Sequence, residues 1–230
     1  MNSALSHPAD VRATSDYDSL PTRKSLLSRL RDLDDAMSWR AFFDTYWRLI
    51  YNVARKSGLS DDDAQDVVQE TVIAVARKMP EFRYDPAKGS FKLWLLLITR
   101  RRIHDHLRKL YRSLPRAEAA SDQAERGLEK IASPSLPPDA AIEATWEQEW
   151  RENLFQGALA RVRAQANPKS YQVFDYAVLQ NLPAAEVGRM LGLNAAQVYL
   201  AKHRMAAAVK RAAAEIEREL NEGLAASGST

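Results

Sequence analysis

The spacing of apolar residues constrains this chain most. In one segment after another they recur every three or four positions, and prolines and glycines punctuate the runs. That step puts side chains on one face of an α-helix, whereas a strand would need alternation. Leu26, Leu27, Leu30 and Leu33 mark a short amphipathic helix within 24–33. Trp39, Phe43, Tyr46, Ile50 and Val53 predict a helix of about five turns, ending near Gly58. Ser60 is suited to cap the next helix, with Asp61, Asp62 and Asp63 in the first turn, where the helix dipole favours negative charge. The predicted inner stripe of that helix is Ala64, Val67, Val68, Thr71, Val72, Val75 and Met79, and Pro80 stops it. After a loop, FKLWLLLITRRRIHDHLRKLYR reads as another helix. Its first half is apolar almost all round and is expected to be buried on several sides.

The pattern breaks at 113–140, where Pro115, Pro134, Pro137 and Pro138 interrupt a stretch rich in Ala, Ser and charge. This reads as a flexible tether of 28 residues. Its relaxed span is roughly 30 Å and its limit about 90 Å. Helical spacing then resumes with Ile142, Trp146, Trp150 and Leu154, continuing through Leu159 and Val162. Pro168 opens a helix with Tyr171, Phe174 and Val178, and Pro183 opens a short one closed by Gly192. Asn194 caps the last helix, with Gln197 as its reciprocal partner. The expected fold is all-α: two small helical domains, 24–112 and 141–222, joined by the flexible linker 113–140, with disordered tails at 1–23 and 223–230.

Composition narrows the function classes. An apolar fraction of 46% is incompatible with wholesale disorder. The absence of cysteine removes disulfides and thiolate sites and suits a reducing cytoplasm. The first residues have no apolar core for a signal peptide, and the longest apolar patch, Leu93 to Ile98, is too short to span a bilayer, so no membrane association is expected. The net charge of +3 says little by itself, but its distribution says more. Arg100, Arg101, Arg102, Arg108, Lys109 and Arg112 share their stretch with one acid, Asp105. Between Val187 and Ala214 there are Arg189, Lys202, Arg204, Lys210 and Arg211 and no acid at all. Acids gather at Asp61 to Asp66 and at Asp139 to Glu152.

Three surfaces follow. In the third helix Asp62, Asp66, Gln69 and Ile73 lie away from the apolar stripe, as an acidic partner surface or simply as a soluble helix face. In the fourth, Arg101, Arg108 and Arg112 suit a phosphate backbone or a solvated face. The loop before it carries Phe82 and Tyr84 beside Arg83 and Lys88. That mixture suits stacking on unpaired bases, although either aromatic could instead plug the core. Near the carboxy terminus Ala184 to Arg211 is a helix, a turn and a basic helix, the grammar of a helix-turn-helix. Val198, Met205 and Val209 form the inner stripe of that basic helix. Leu200, His203, Arg204, Ala207 and Lys210 point outward. Arg204 can donate to guanine or phosphate, and Leu200 can offer only apolar contact. An ordinary helical hairpin with a solvated basic face would carry the same spacing.

The segment from Ser38 to Lys109, with its DAQDVVQET and GSFKLWLLLITRRRI strings, resembles region 2 of extracytoplasmic-function sigma factors of bacterial RNA polymerase. NLPAAEVGRMLGLNAAQVYLAKHRMAAAVKRAAAE is similar to their region 4. The resemblance implies promoter recognition and strand opening as a dissociable polymerase subunit, with no catalytic residue, metal or cofactor. It implies that Asp63, Asp66, Gln69 and Glu70 dock on the β′ clamp helices of core polymerase. It also implies that the loop Phe82 to Ser90, with Phe82, Tyr84 and Lys88, captures an extruded base of the −10 element, that the helix carrying Trp94 and Arg100 to Lys109 handles the −10 strand and its backbone, and that helix 195–209, with Tyr199, Leu200, His203 and Arg204, reads the −35 element. An anti-sigma factor is a further partner it admits. Tyr199 and Leu200 stand where the family usually has a basic and a small polar residue, so a promoter sequence does not transfer. The alternatives are a stand-alone helix-turn-helix regulator that binds duplex DNA without polymerase, and a helical enzyme using His104, Asp105 and His106.

Overall fold

The computed structural model describes residues 23–80, 82, 90–113 and 137–225, and these are helical apart from turns and short connections. Tyr84, Lys88 and nearly all of the tether and tails lie outside the described residues. Four helices reach into stretches read as tether or tail: the first starts at Arg23, the fourth runs through Ser113, the fifth starts at Asp139, and the last continues to Ala225.

Helix α1 (Arg23–Arg29) leads into α2 (Ala36–Lys56). Asp35 caps α2 by accepting from the Ser38 N–H at 3.1 Å, and the Arg29 guanidinium sits 2.7 Å from the same carboxylate. The buried face of α2 is Phe42, Tyr46, Leu49, Ile50 and Val53. Phe43, expected inside, is instead exposed and stacks on Trp47, while Phe42 takes the inner place. Helices pack on α2 from two sides, so its buried face is wider than one three-four row, and the row's boundary falls one residue away from the sequence reading. Gly58, at φ +96°, makes the left-handed turn that separates α2 from α3 (Asp61–Lys78). Ser60 caps α3, its hydroxyl oxygen accepting from the Asp63 N–H at 3.1 Å. Every residue of the predicted α3 stripe is buried except Val72, which is half-buried against the core.

Helix α4 (Phe91–Ser113) buries Phe91, Leu95, Leu96, Ile98, Ile103 and Leu107. Its first half is not covered all round, however: Leu93 is 41% and Leu97 46% exposed. Helices α3 and α5 flank α4 and leave one stripe open, and these two leucines, one turn apart, fall on it. Leu33, placed on the stripe of the first helix by its spacing, and Leu110 are also exposed near helix ends.

Helix α5 (Asp139–Gln165) joins the two helical blocks. Its first half lies on α2 and α4, with Trp150 stacked on Tyr46 at 6.0 Å and on Trp146 at 5.9 Å. Buried Glu149 reaches across to α2, accepting from Lys56 at 2.6 Å and from Asn52 at 2.8 Å. Burying that carboxylate is tolerable because both its oxygens are occupied, one by a cation. The second half of α5 lies on the final helix, where Arg161 grips Glu219 through two hydrogen bonds of 3.1 and 2.9 Å. One apolar cluster therefore runs from α1–α4 through α5 into the last helix.

Helix α6 (Pro168–Phe174), capped by Asn167, passes into a π-helical turn, Asp175–Leu179. Helix α7 (Ala184–Leu191) and α8 (Ala195–Ala225) complete the chain. Gly192 closes α7 in the left-handed conformation at φ +64°. Gly188 is required for a different reason: a Cβ there would stand 2.6 Å from the Leu193 carbonyl oxygen, so only glycine lets the turn fold back against α7. The reciprocal cap of α8 forms as expected, Asn194 and Gln197 each donating a backbone N–H to the other's side-chain oxygen at 2.9 Å.

Candidate polymerase- and nucleic-acid-binding surfaces

The α3 surface is two-layered. Asp62, Asp66, Gln69 and Ile73 are all exposed, Ile73 at 45%. Asp63 and Glu70, half-buried, turn toward α4 instead, where His106 stands between them. His106 is 6% exposed. Its Nδ1 lies 3.5 Å from Asp63 and its Nε2 3.4 Å from Glu70. Arg102, one turn earlier on α4, approaches the other oxygen of Glu70 at 3.9 Å. The hydroxyl of Ser60 donates to Asp63 at 2.5 Å. This bond, followed by the His106 contact, holds the Asp63 carboxyl below the usual aspartate range against the opposing effect of its partial burial. Asp61 is held low mainly by the Tyr51 hydroxyl and then by Gln65.

The spacing of His106 marks it as an inward residue, three positions after Ile103 and one before Leu107. A titratable side chain on a buried stripe needs a polar partner, and α3 supplies two. His104 points elsewhere, to Asp139 of α5 at 3.4 Å, and Asp105 lies 3.6 Å from both Arg102 and Arg108. The three residues weighed as an enzyme site thus face different partners.

On the outer side of α4, Arg101, Arg108 and Arg112 are exposed. With Leu97, Arg100, His104, Asp105 and Asp139, Arg101 and Arg108 line an open recess of about 400 Å³. Arg100 is turned away from that outer stripe and pairs with Glu143 at 2.7 Å and Asp139 at 3.0 Å. Phe82 is half-buried against Trp94 at 4.4 Å between ring centres, and its carbonyl accepts from Arg31 at 2.9 Å.

On α8, Tyr199, Leu200, His203 and Arg204 are exposed, Tyr199 at 64%, and the Tyr199 and His203 rings lie 4.2 Å apart. Val198 is buried in a small satellite cluster with Val173, Ala177 and Val187, which seats the start of α8 on α7 and the π-turn. The outward face of α8 is thereby set: its first turns present two large apolar side chains, an imidazole and one guanidinium.

Residues 42–113 match the family model of sigma-70 region 2, which takes in α3, α4 and most of α2. An all-α fold carrying a segment similar to that region supports a role in transcription initiation, and sigma factors in general are not enzymes. Over that stretch, less than a third of its length, the chain is similar to the sigma-70 family. No curated protein matches it in sequence. Among the described residues, no helix is long and apolar enough to cross a membrane.

Proposed function

We propose that this protein is an extracytoplasmic-function-type sigma factor, acting in the cytoplasm, that docks on the β′ clamp helices of core polymerase through α3 and reads promoter DNA with α4 and α8. The observation that carries this reading is the arrangement of α3 and α4. The two helices pack together, yet each keeps a charged stripe exposed: Asp66 and Gln69 on one, Arg101, Arg108 and Arg112 on the other. An acidic stripe suits a basic protein partner, and a basic stripe suits a phosphate backbone. Within the docking set, Asp66 and Gln69 would make the contact, while Asp63 and Glu70 would stand behind them. Phe82, Tyr84 and Lys88 would capture a −10 base. Tyr199, Leu200, His203 and Arg204 would meet the −35 element in the major groove. The blocks 24–112 and 141–222 would act as two reading units whose weak contacts add once polymerase holds both in place.

Fluorescence anisotropy on promoter duplex and on a mismatched bubble, with and without core polymerase at fixed salt, tests the proposal. Tight binding should require core enzyme and favour the bubble. Nanomolar, sequence-specific binding to duplex by the protein alone would instead identify a stand-alone helix-turn-helix regulator.

A further inference from the structure

Two rows of basic residues stand out on α4, and one of them is already occupied by the acids of α5. Lys92, Arg100 and His104 lie on the edge that faces α5, at steps of eight and four, and so on one side of the helix. Asp139, Glu143 and Glu147 lie at steps of four along the facing edge of α5, a row of carboxylates about 6 Å apart. The rows meet in antiparallel order. Lys92 pairs with Glu147 at 2.6 Å, Arg100 with Glu143 at 2.7 Å and with Asp139 at 3.0 Å, and His104 lies 3.4 Å from Asp139. The adjoining face of α5 is anchored by buried Ile142, Trp146 and Trp150, so the acids are held in position.

We propose that the acidic edge of α5 competes with a nucleic-acid backbone for the inner basic row of α4, holding the free protein off DNA. This rests on the reading of α4 as a promoter-facing helix. The chemistry is exchange of one set of anions for another: a phosphate at Arg100 or Lys92 must displace a carboxylate. The acids are about half-exposed, so each pair by itself is weak and is screened by salt. Their effect comes from a fixed row of three opposite a fixed row of cations. The outer row, Arg101, Arg108 and Arg112, is exposed to a first encounter, with Arg108 3.6 Å from Asp105, and the inner row becomes available only when the acids of α5 yield.

The test uses the full chain and a fluorescein-labelled single-stranded oligothymidylate, followed by anisotropy from low to physiological salt. The triple variant Asp139→Asn, Glu143→Gln, Glu147→Gln should bind about tenfold more tightly at low salt than the unaltered protein. The slope of log affinity against log salt should steepen by about 0.7 for each cation released. Removing three negative charges anywhere would raise affinity somewhat, so a control triple variant, Asp44→Asn, Glu152→Gln, Glu217→Gln, carries the same change at exposed acids off this edge. The control should move affinity far less. Equal tightening in both variants, or none in the first, overturns the competition. Circular dichroism establishes that each variant is folded, and if the triple variant is not, Glu143→Gln alone should give a smaller shift of the same sign. Polymerase-bound protein separates the two layers of the argument. If Arg101→Ala with Arg108→Ala leaves the bubble affinity of that complex unchanged, the reading of α4 fails, and the competition with it. If the complex depends on those arginines while the triple variant shows no gain, only the competition fails.

Discussion

The ring of His106 bridges two carboxylates on one helix, Nδ1 3.5 Å from Asp63 and Nε2 3.4 Å from Glu70, from a position 6% exposed. It joins the proposed polymerase-docking helix to the proposed DNA-reading helix at the level where both carry their charged stripes. Replacing His106 with Ala leaves a gap and deprives two half-buried carboxylates of a shared partner, so it should destabilise the protein by about 1–3 kcal/mol. Glutamine, which can still donate to one carboxylate, should recover part of the loss. Urea denaturation of the three proteins measures it, and an Ala variant as stable as the parent would mean that the clasp carries no weight.

Acid should loosen the same region. Asp63, Asp61 and Asp35 all have carboxyls held below the ordinary value of 3.8, by the Ser60, Tyr51 and Arg29 side chains in the first place. A carboxyl depressed in the folded state stabilises fully above its unfolded value, and that contribution is lost as pH falls through the folded value. The stability these three aspartates contribute should therefore decline below about pH 4. Ser60→Ala should raise the Asp63 titration midpoint toward the ordinary value, followed by carboxyl NMR. An unmoved midpoint would show that the hydroxyl is not the cause.

On the exposed layer of α3, Asp66→Arg combined with Gln69→Arg should abolish association with core polymerase in a pulldown. Melting should hardly change, since exposed substitutions usually move stability by under about 0.5 kcal/mol. Undiminished capture would remove the docking surface from α3.

For α8, Arg204→Ala should weaken activity at the cognate promoter by about 1–3 kcal/mol and relax preference at one base of the −35 element. A uniform loss over all promoter sequences would assign Arg204 to phosphate instead. A Leu200→Ala change should affect only positions where a thymine methyl is offered.

Gly188→Ala probes the α7–α8 turn. Its Cβ would meet the Leu193 carbonyl at 2.6 Å, so the turn must open. Thermal melting should show a destabilisation of about 1–3 kcal/mol, and an unchanged melting temperature would mean that the turn relaxes freely.

Much of this was legible in the residues themselves, because a helix writes its burial into its spacing. The α3 stripe from Ala64 to Met79, the exposed row Asp62, Asp66, Gln69 and Ile73, the inner row Val198, Met205 and Val209, and the Asn194–Gln197 cap all follow from residues within a few turns of one another. What spacing cannot carry is which second helix covers a face, or whether any does. Phe43 and Leu97 are as apolar as Phe42 and Leu96, and only the directions from which α3 and α5 approach decide which of each pair is buried. The same holds for charge. Arg100 and Arg101 are neighbours in a run of three arginines, yet one is committed to Glu143 and the other is exposed on the outer stripe. Asp63 and Asp66 differ likewise, one turned to His106 and the other to solvent. Local periodicity assigns a residue to a face of its own helix. Tertiary packing alone decides what that face meets, because the partner lies tens of residues away and leaves no trace in local spacing.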